Sequence, residues 1–229
     1  MEEPKPEFSR RVEPFPGTIS RVVAQTKTRR HLGARVNVFI DEKFSFALSA
    51  DLAFNHGLRP KMSIDAAFLA ELLREDGETK ALTTALNFIG YRPRSEGEIR
   101  TRLQKDEWSE TVIAAVVAKL RANKFLDDAQ FAADWVTSRS RSKPRGGRLL
   151  KQELRHKGVD KEEIEAALPD ADEEVENAIA ALSKIERKLE KWEGRERTQK
   201  AIEMMARRGF GYATVKSALQ RMEELDEED

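Results

Sequence analysis

Polar and apolar residues alternate between about residues 17 and 48, and this period of two predicts short β-strands. Val36, Val38 and Ile40 fall on one side of the clearest strand. The Asp41-Glu42 pair that follows predicts a tight hairpin into the next strand. We expect three such strands to form a small antiparallel sheet, which needs a helix to cover it because so few strands are marginally stable alone.

The residues after the last predicted strand supply that helix. It is predicted to begin at Ser49 or Asp51, which can cap it, and to end at Gly57, a natural helix stop. Downstream, apolar residues recur at helical spacing throughout, beginning with predicted helices over 65–75 and 79–91. The chain is therefore a small β module followed by a long helical part.

The helical part repeats itself. Three segments align without a gap at a spacing of 51 residues. Each contains a short helix, a turn, one apolar residue that fills the turn, and a second helix, with another helix upstream at 79–91, 128–140 or 173–192. The pattern predicts three tandem three-helix units, similar to helix-turn-helix motifs, in an elongated array. The matching core positions are Leu103, Leu154 and Met205; Trp108, Val159 and Phe210; Ile113, Ile164 and Val215; and Val117, Leu168 and Leu219.

The predicted fold class is mainly α, with a small antiparallel sheet at the N-terminal side. Ser109 and Asp160 are predicted to cap the last helix of the first and second repeats with their side-chain oxygens. The predicted segments are a disordered leader at 1–16, a sheet-plus-helix module at 17–77, three-helix repeats at 78–127, 128–170 and 171–222, and an acidic tail at 223–229.

Composition narrows the possible chemistry. The 229 residues include no cysteine, which excludes disulfides, thiolate zinc sites and a thiol nucleophile. The first residues, MEEPKPEFSR, lack the apolar core of a signal peptide, and no window approaches a membrane span, so the expected location is the cytoplasm. The 41 basic and 41 acidic residues cancel, which leaves only their distribution informative.

That distribution is uneven. Between Arg139 and Lys157 eight basic residues face a single acid, Glu153, for a local net charge of +7. A solvated helix surface is the ordinary explanation of a charge run, but this imbalance in a neutral chain favours a site for a polyanion or an acidic protein. The acids that balance this charge lie at 160–176 and in the acidic tail. We interpret the tail as a segment that keeps the protein in solution. The alternative is that the tail competes with ligands for the basic stretch. The predicted binding residues are Arg139, Arg141, Lys143, Arg145, Arg148, Lys151 and Arg155, with Arg92 and Arg94 from the corresponding loop of the first repeat.

Catalytic and cofactor motifs do not accompany the basic run. Pro144-Arg145-Gly146-Gly147 lacks the glycine spacing and the final Lys-Ser/Thr pair of a phosphate loop. His31, His56 and His156 have no second ligand four residues away, so a metal site is not expected. The sequence predicts a protein that is not an enzyme and that requires no cofactor.

Several stretches, in this order and spacing, resemble the RecX family of recombination regulators. They are Tyr91–Arg100 with Leu103 and Trp108-Ser109; Leu120-Arg121 with Lys124–Asp128 and Phe131-Ala132; and Gly147–Val159 with its Lys151, Glu153, Leu154 and Gly158. The Val36–Asp41 strand with Phe46, Leu48 and Ser49 resembles the N-terminal extension of many members. Together the resemblance covers about residues 17 to 219.

The resemblance implies a monomeric regulator that binds the filament of the recombinase RecA on single-stranded DNA. Members of the family inhibit the ATPase, strand exchange and co-protease activities of RecA, and thereby act in DNA repair, recombination and the SOS response. They also bind DNA themselves, with double-stranded DNA as a further candidate here. Two alternatives stay open: an independent DNA-binding protein that uses its helix-turn-helix-like repeats, and a helical scaffold for other proteins.

Overall fold

The computed structural model describes residues 13–26 and 33–228, with side chains of the last helix up to Glu224. Most of the predicted leader therefore lies outside the described residues. Four strands form one antiparallel sheet in the order β3-β2-β1-β4. The strands are β1 (Gly17–Ala24), β2 (Arg35–Ile40), β3 (Lys43–Ser49) and β4 (Ser63–Ile64).

The three predicted strands are present, and the fourth, β4, escaped the sequence pattern. It pairs with β1 through Gly17 opposite Ile64 and Thr18 opposite Ser63, and two residues are too few to show an alternation. The Asp41-Glu42 hairpin is confirmed. Both turn residues have positive φ angles, 49° and 64°, the geometry that lets a two-residue turn follow the twist of its strands.

One face of the sheet is covered by two helices. Helix α1 (Ala50–Asn55) begins at Ser49, whose hydroxyl accepts a hydrogen bond from the Leu52 amide at 3.1 Å, and Asp51 is the first-turn acid rather than the cap. It ends before Gly57, whose φ of +61° suits glycine. The buried side chains of this module are Ile19, Val38, Ile40, Phe46, Leu48 and Ile64 from the sheet, Ala53 from α1, and Leu69 and Leu72 from the long helix that follows β4.

The prediction of two helices over 65–75 and 79–91 was wrong, because one helix, α2 (Ala66–Tyr91), runs through both. Asp65 caps it by accepting from the Phe68 amide at 2.8 Å. Gly77 lies inside the helix, and a Cβ there would lie 3.4 Å from the Trp108 ring. The boundary predicted between 77 and 78 therefore falls within a helix.

The remaining helices form the repeats. Their core positions match the 51-residue spacing: Leu103, Leu154 and Met205 are fully buried, as are Ile113, Ile164 and Val215. The described residues divide into two compact units, one of residues up to 92 with Arg102–Ala122, the other of Pro93–Thr101 with residues from 123 onward. The helices are α3 (Glu96–Lys105), α4 (Glu110–Ala122), α5 (Asp128–Ser142), α6 (Gly147–His156), α7 (Lys161–Ala167), α8 (Ala171–Ser183), α9 (Glu186–Leu189), α10 (Gly194–Ala206) and α11 (Tyr212–Glu228).

Three details differ from the prediction. The helix expected over 173–192 is divided into α8 and α9, because a bend at Ile185 lets both Ile185 and Leu189 enter the core of the third repeat. Asp160 stands at the N-cap of α7 without a side-chain hydrogen bond, whereas Ser109 accepts from the Val112 amide at 3.4 Å. Helix α11 continues to Glu228, so the predicted acidic tail is helical up to that residue, in keeping with the helix propensity of glutamate.

A hydrogen bond that recurs at the 51-residue spacing joins successive repeats within the second unit. The Ser95 hydroxyl donates to the Lys157 carbonyl at 2.5 Å, and the Gly146 amide, 51 residues on, donates to the Arg208 carbonyl at 3.0 Å. At each joint the beginning of one repeat's second helix rests on the turn of the next repeat. This contact explains why glycine occupies position 158, in the turn that packs against the preceding repeat. Gly209 lies 51 residues further on and, like Gly158, has a positive φ angle.

Candidate basic interface

The basic stretch of the second repeat is organised around its one acid, Glu153. The Arg139 Nε atom lies 3.1 Å from Glu153 Oε2, and the Trp135 indole donates to the same oxygen at 2.8 Å. Arg145 pairs with the other carboxylate oxygen. Two guanidinium groups therefore share one carboxylate, which leaves a local excess of one positive charge.

Trp135 connects this cluster to a second carboxylate. The Arg139 guanidinium lies 4.2 Å and the Lys157 ammonium 4.3 Å from the centre of the Trp135 ring, both within cation–π range. Lys157 also lies 3.1 Å from Glu98, which has Arg94 at 3.8 Å on its other side. Arg94 is only 12% exposed, so it is positioned by this network rather than displayed to solvent.

Two further predicted cations have partners of their own. Arg148 donates to the Ala206 carbonyl at 2.9 Å, at the end of α10 in the third repeat. Lys151 pairs with Glu165, and this hydrogen bond holds the pKa of the Glu165 carboxyl below its usual value. Both cations are thus partly engaged in holding helices of the second unit.

Three of the exposed predicted residues stand apart from these contacts: Arg141, Lys143 and Arg155. Within the part of the chain that the structure describes, none of them forms a side-chain hydrogen bond or an ion pair. Lys143 follows the last residue of α5, and Arg155 lies in the last turn of α6, where a cation is favourable because helix carbonyls carry partial negative charge. These three side chains are available to an anionic ligand.

Arg92 belongs to the other compact unit. It follows α2 with φ −169° and ψ 160°, the extended conformation that a residue before proline prefers. Its side chain is exposed. The structure therefore gathers eight of the nine predicted binding residues in the second unit and places Arg92 in the first.

The third repeat contributes cations that the sequence analysis missed. A groove of about 320 Å³ lies between the loop after α5 and the third repeat. In the groove, burial and the nearby Arg139 charge lower the pKa of Arg145, as expected where cations outnumber acids. The 51-residue repeat was the available signal, since it places Arg207-Arg208 in the turn that corresponds to His156-Lys157. The groove is lined by Ser142, Lys143, Pro144, Arg145, Leu149, Lys184, Arg207 and Arg208.

Other kinds of site find no support in the described ranges 13–26 and 33–228. Among these residues no group of three or more His, Cys, Asp or Glu side chains is placed to hold a metal ion. No helix in the same ranges is long and apolar enough to cross a membrane.

The fold and its basic surface define a class of protein: tandem three-helix repeats, preceded by a small sheet module, that present cations on a helical framework. Family models match each part of it. They are the regulatory protein RecX N-terminal domain at residues 18–65 and the first, second and third three-helix domains of RecX at 81–120, 127–168 and 172–219.

Whole-chain relatives agree with these matches. The regulatory protein RecX of Bacillus velezensis is 31% identical over 209 residues, covering 90% of this chain and 80% of the relative. The regulatory protein RecX of Bacillus subtilis is 30% identical, with 90% and 79% covered. The chain belongs to the RecX family of regulatory proteins.

Two crystal structures share the fold. One of regulatory protein RecX superimposes with a TM-score of 0.68 at 24% identity, covering 89% of this chain and 100% of that chain. The other, RecX from Lactobacillus salivarius, has a TM-score of 0.61 at 22% identity, covering 65% and 98%.

Proposed function

We propose that this protein is a non-enzymatic, monomeric, cytoplasmic regulator that binds the filament of RecA on single-stranded DNA. Binding inhibits the ATPase, strand exchange and co-protease activities of RecA. Membership of the RecX family supports this proposal, as does the basic surface of the second repeat. The observation that carries it is the exposure of Arg141, Lys143 and Arg155, three cations that form no ion pair with another described residue.

The physical role of these cations is attraction and positioning. A RecA filament on DNA presents a polyanion, and each cation that meets a phosphate or a carboxylate releases counterions and strengthens binding at low salt. Within the second unit the repeats supply a stiff framework, because buried apolar side chains pack around each turn and hydrogen bonds join successive repeats. Inhibition then follows from occupancy of the filament, which requires no catalytic group on the regulator.

The test is the rate of ATP hydrolysis by RecA on single-stranded DNA, titrated with substoichiometric amounts of this protein. We expect the wild type to inhibit, and the double variant Arg141→Glu/Arg155→Glu to need about tenfold more protein for the same inhibition. Both side chains are exposed and unpaired among the described residues, so the variant should fold, which circular dichroism can confirm.

The matched control is Arg187→Glu/Lys188→Glu, which makes the same change in charge on α9, outside the basic stretch. Its inhibition should equal that of the wild type. Equal inhibition by the folded Arg141→Glu/Arg155→Glu variant would contradict the assignment of these residues, and a wild type without effect on RecA would contradict the function itself.

A second candidate function is independent DNA binding, which the groove rich in cations at the second and third repeats favours. It differs from the first in requiring no RecA. Binding of the purified chain to DNA with no effect on RecA hydrolysis would favour this candidate, whereas binding to RecA with no affinity for DNA would favour a role confined to protein contacts.

A further inference from the structure

We propose that the groove between the loop after α5 and the third repeat holds backbone phosphates of a nucleic-acid strand without reading its sequence. The inference rests on the proposed function in that both assign a polyanion to this side of the second repeat. It adds a defined site and three cations of the third repeat, Lys184, Arg207 and Arg208.

The charge of the groove is the first argument. Five of its eight lining residues are cations, and none of the eight is acidic. Arg145 is already paired with Glu153, which leaves four cations, on two repeats, to face a ligand. Cations gathered in a concave site of about 320 Å³ repel one another unless an anion joins them.

The walls of the groove are fixed before any ligand binds. The Lys184 ammonium donates to the Ser142 carbonyl at 3.1 Å, and Arg208 donates to the Ala181 carbonyl at 3.4 Å. The Gly146 amide donates to the Arg208 backbone carbonyl at 3.0 Å. These bonds tie the end of α5 and the loop after it to the third repeat, so a ligand does not have to order the site.

Two of the groove cations are left for the ligand alone. Lys143 and Arg207 are both exposed, and neither donates a side-chain hydrogen bond to another described residue. Arg207 follows α10. The hydrogen bond from Lys200 is the main cause that lowers the pKa of the neighbouring Glu203 carboxyl, and the charge of Arg207 adds to this effect. We therefore assign Lys143 and Arg207 as the principal phosphate contacts.

The chemistry of the lining favours phosphates over bases. Guanidinium and ammonium groups line the groove, and these groups match phosphate oxygens. No aromatic or amide side chain lines the groove, so it offers neither a stacking platform nor the donor and acceptor pairs that read base edges. Affinity at this site should not depend on base sequence.

The experiment measures fluorescence anisotropy of a labelled oligothymidylate of about twenty nucleotides, titrated with the full chain in the absence of RecA, at salt concentrations from about 50 to 200 mM. The variant is Lys143→Gln/Arg207→Gln. Because each phosphate contact contributes about 0.7 to the slope of log K against log salt, its slope should be shallower than that of the wild type by about 1.4. The control Arg187→Gln/Lys188→Gln should keep the wild-type slope.

Further arms identify the ligand. A mixed-sequence strand should bind like oligothymidylate, and duplex DNA shows whether the site prefers unpaired strands. Polyglutamate should compete poorly and without dependence on Lys143 and Arg207. An unchanged salt slope in the folded variant, equal competition by polyglutamate, or no binding of the wild type to any DNA at low salt would each overturn the inference.

Failure of this inference is separable from failure of the proposed function. If the groove variant loses DNA affinity while the wild type has no effect on RecA hydrolysis, the groove assignment stands and the regulatory function falls. If the groove variant keeps its DNA affinity while Arg141→Glu/Arg155→Glu loses inhibition, the regulatory function stands and the groove assignment falls.

Discussion

Arg35 and Asp76 form a buried, two-pronged ion pair in the N-terminal module, with Nη1–Oδ1 and Nη2–Oδ2 distances of 3.1 and 3.0 Å. Arg35 is 7% and Asp76 2% exposed. The Asp76 carboxylate also accepts from the Ser49 amide at 2.9 Å and pairs with Lys80 at 2.6 Å. One carboxylate on α2 thus fixes the first residue of β2 and the start of α1.

The substitution Asp76→Ala should therefore be among the most damaging in this module. It removes the only described acid that neutralises the buried Arg35 guanidinium and leaves the Ser49 amide without its acceptor, so we expect a loss of about 3–5 kcal/mol in the free energy of unfolding. Urea unfolding followed by circular dichroism measures it. Glu71→Ala, an exposed acid on the same helix, is the control and should change stability by less than about 0.5 kcal/mol. A similar small change for Asp76→Ala would contradict the structural role.

The same carboxylate should make stability depend on acid pH. Burial alone would raise the pKa of Asp76, but hydrogen bonds from Arg35 and Lys80 outweigh it and hold the pKa below the ordinary 3.8. A lowered pKa in the folded state gives stability that is complete above the unfolded value and is lost as pH falls through the folded one. The free energy of unfolding of the wild type should therefore exceed that of Asp76→Asn at neutral pH, and this difference should be lost as the pH falls below 3.8. An advantage that stays constant in unfolding measurements from about pH 6 to about pH 2 would show that Asp76 is not the titrating group.

Some parts of this structure can be predicted from sequence because they follow a local or periodic rule. The β-hairpin follows from the alternation before Asp41, and the repeats follow from buried positions such as Leu103 and Leu154 at a fixed spacing. The Arg35–Asp76 pair follows no such rule, since its members are 41 residues apart and resemble any surface charges in the sequence.

The candidate site shows the same division. The excess of basic residues after Arg139 is visible in the sequence, but its distribution between engaged and available cations is not. Only the fold reveals that Glu153 holds Arg139 and Arg145. The fold likewise brings Lys184 to the Ser142 carbonyl, 42 residues away, and so forms the groove.

The contacts between successive repeats predict that removing a glycine from one turn and introducing a glycine at the corresponding turn change stability in opposite directions. Gly158 has φ +75°, and a Cβ there would lie 2.8 Å from the Gly97 Cα atom, so Gly158→Ala combines backbone strain with a clash against backbone. We expect it to lower the free energy of unfolding by about 2 kcal/mol or more.

The corresponding residue of the first repeat, 51 positions earlier, is Glu107, which is exposed at φ +61°. Glu107→Gly should be neutral or stabilise by up to about 1 kcal/mol, because glycine adopts this conformation without strain. Equal effects of the two substitutions on the melting temperature would contradict the conclusion that the contact with Gly97 requires glycine at position 158.

Glu153 should restrain the basic surface, so its neutralisation should strengthen anion binding. In Glu153→Gln the amide keeps nearly the same shape, but Arg139 and Arg145 lose the one carboxylate that both contact. We expect the affinity for oligothymidylate to rise several-fold and the salt slope to steepen by about 0.7, as for one added phosphate contact. Stability should fall by about 1–3 kcal/mol, because half-buried guanidinium groups lose their charged partner.

Glu186→Gln, which removes an exposed acid 3.8 Å from Arg197 in the third repeat, is the matched control and should change neither the DNA affinity nor the stability. If the folded Glu153→Gln variant binds DNA no more tightly than the wild type, Arg139 and Arg145 are structural cations, and anion binding belongs to exposed cations such as Lys143 and Arg207.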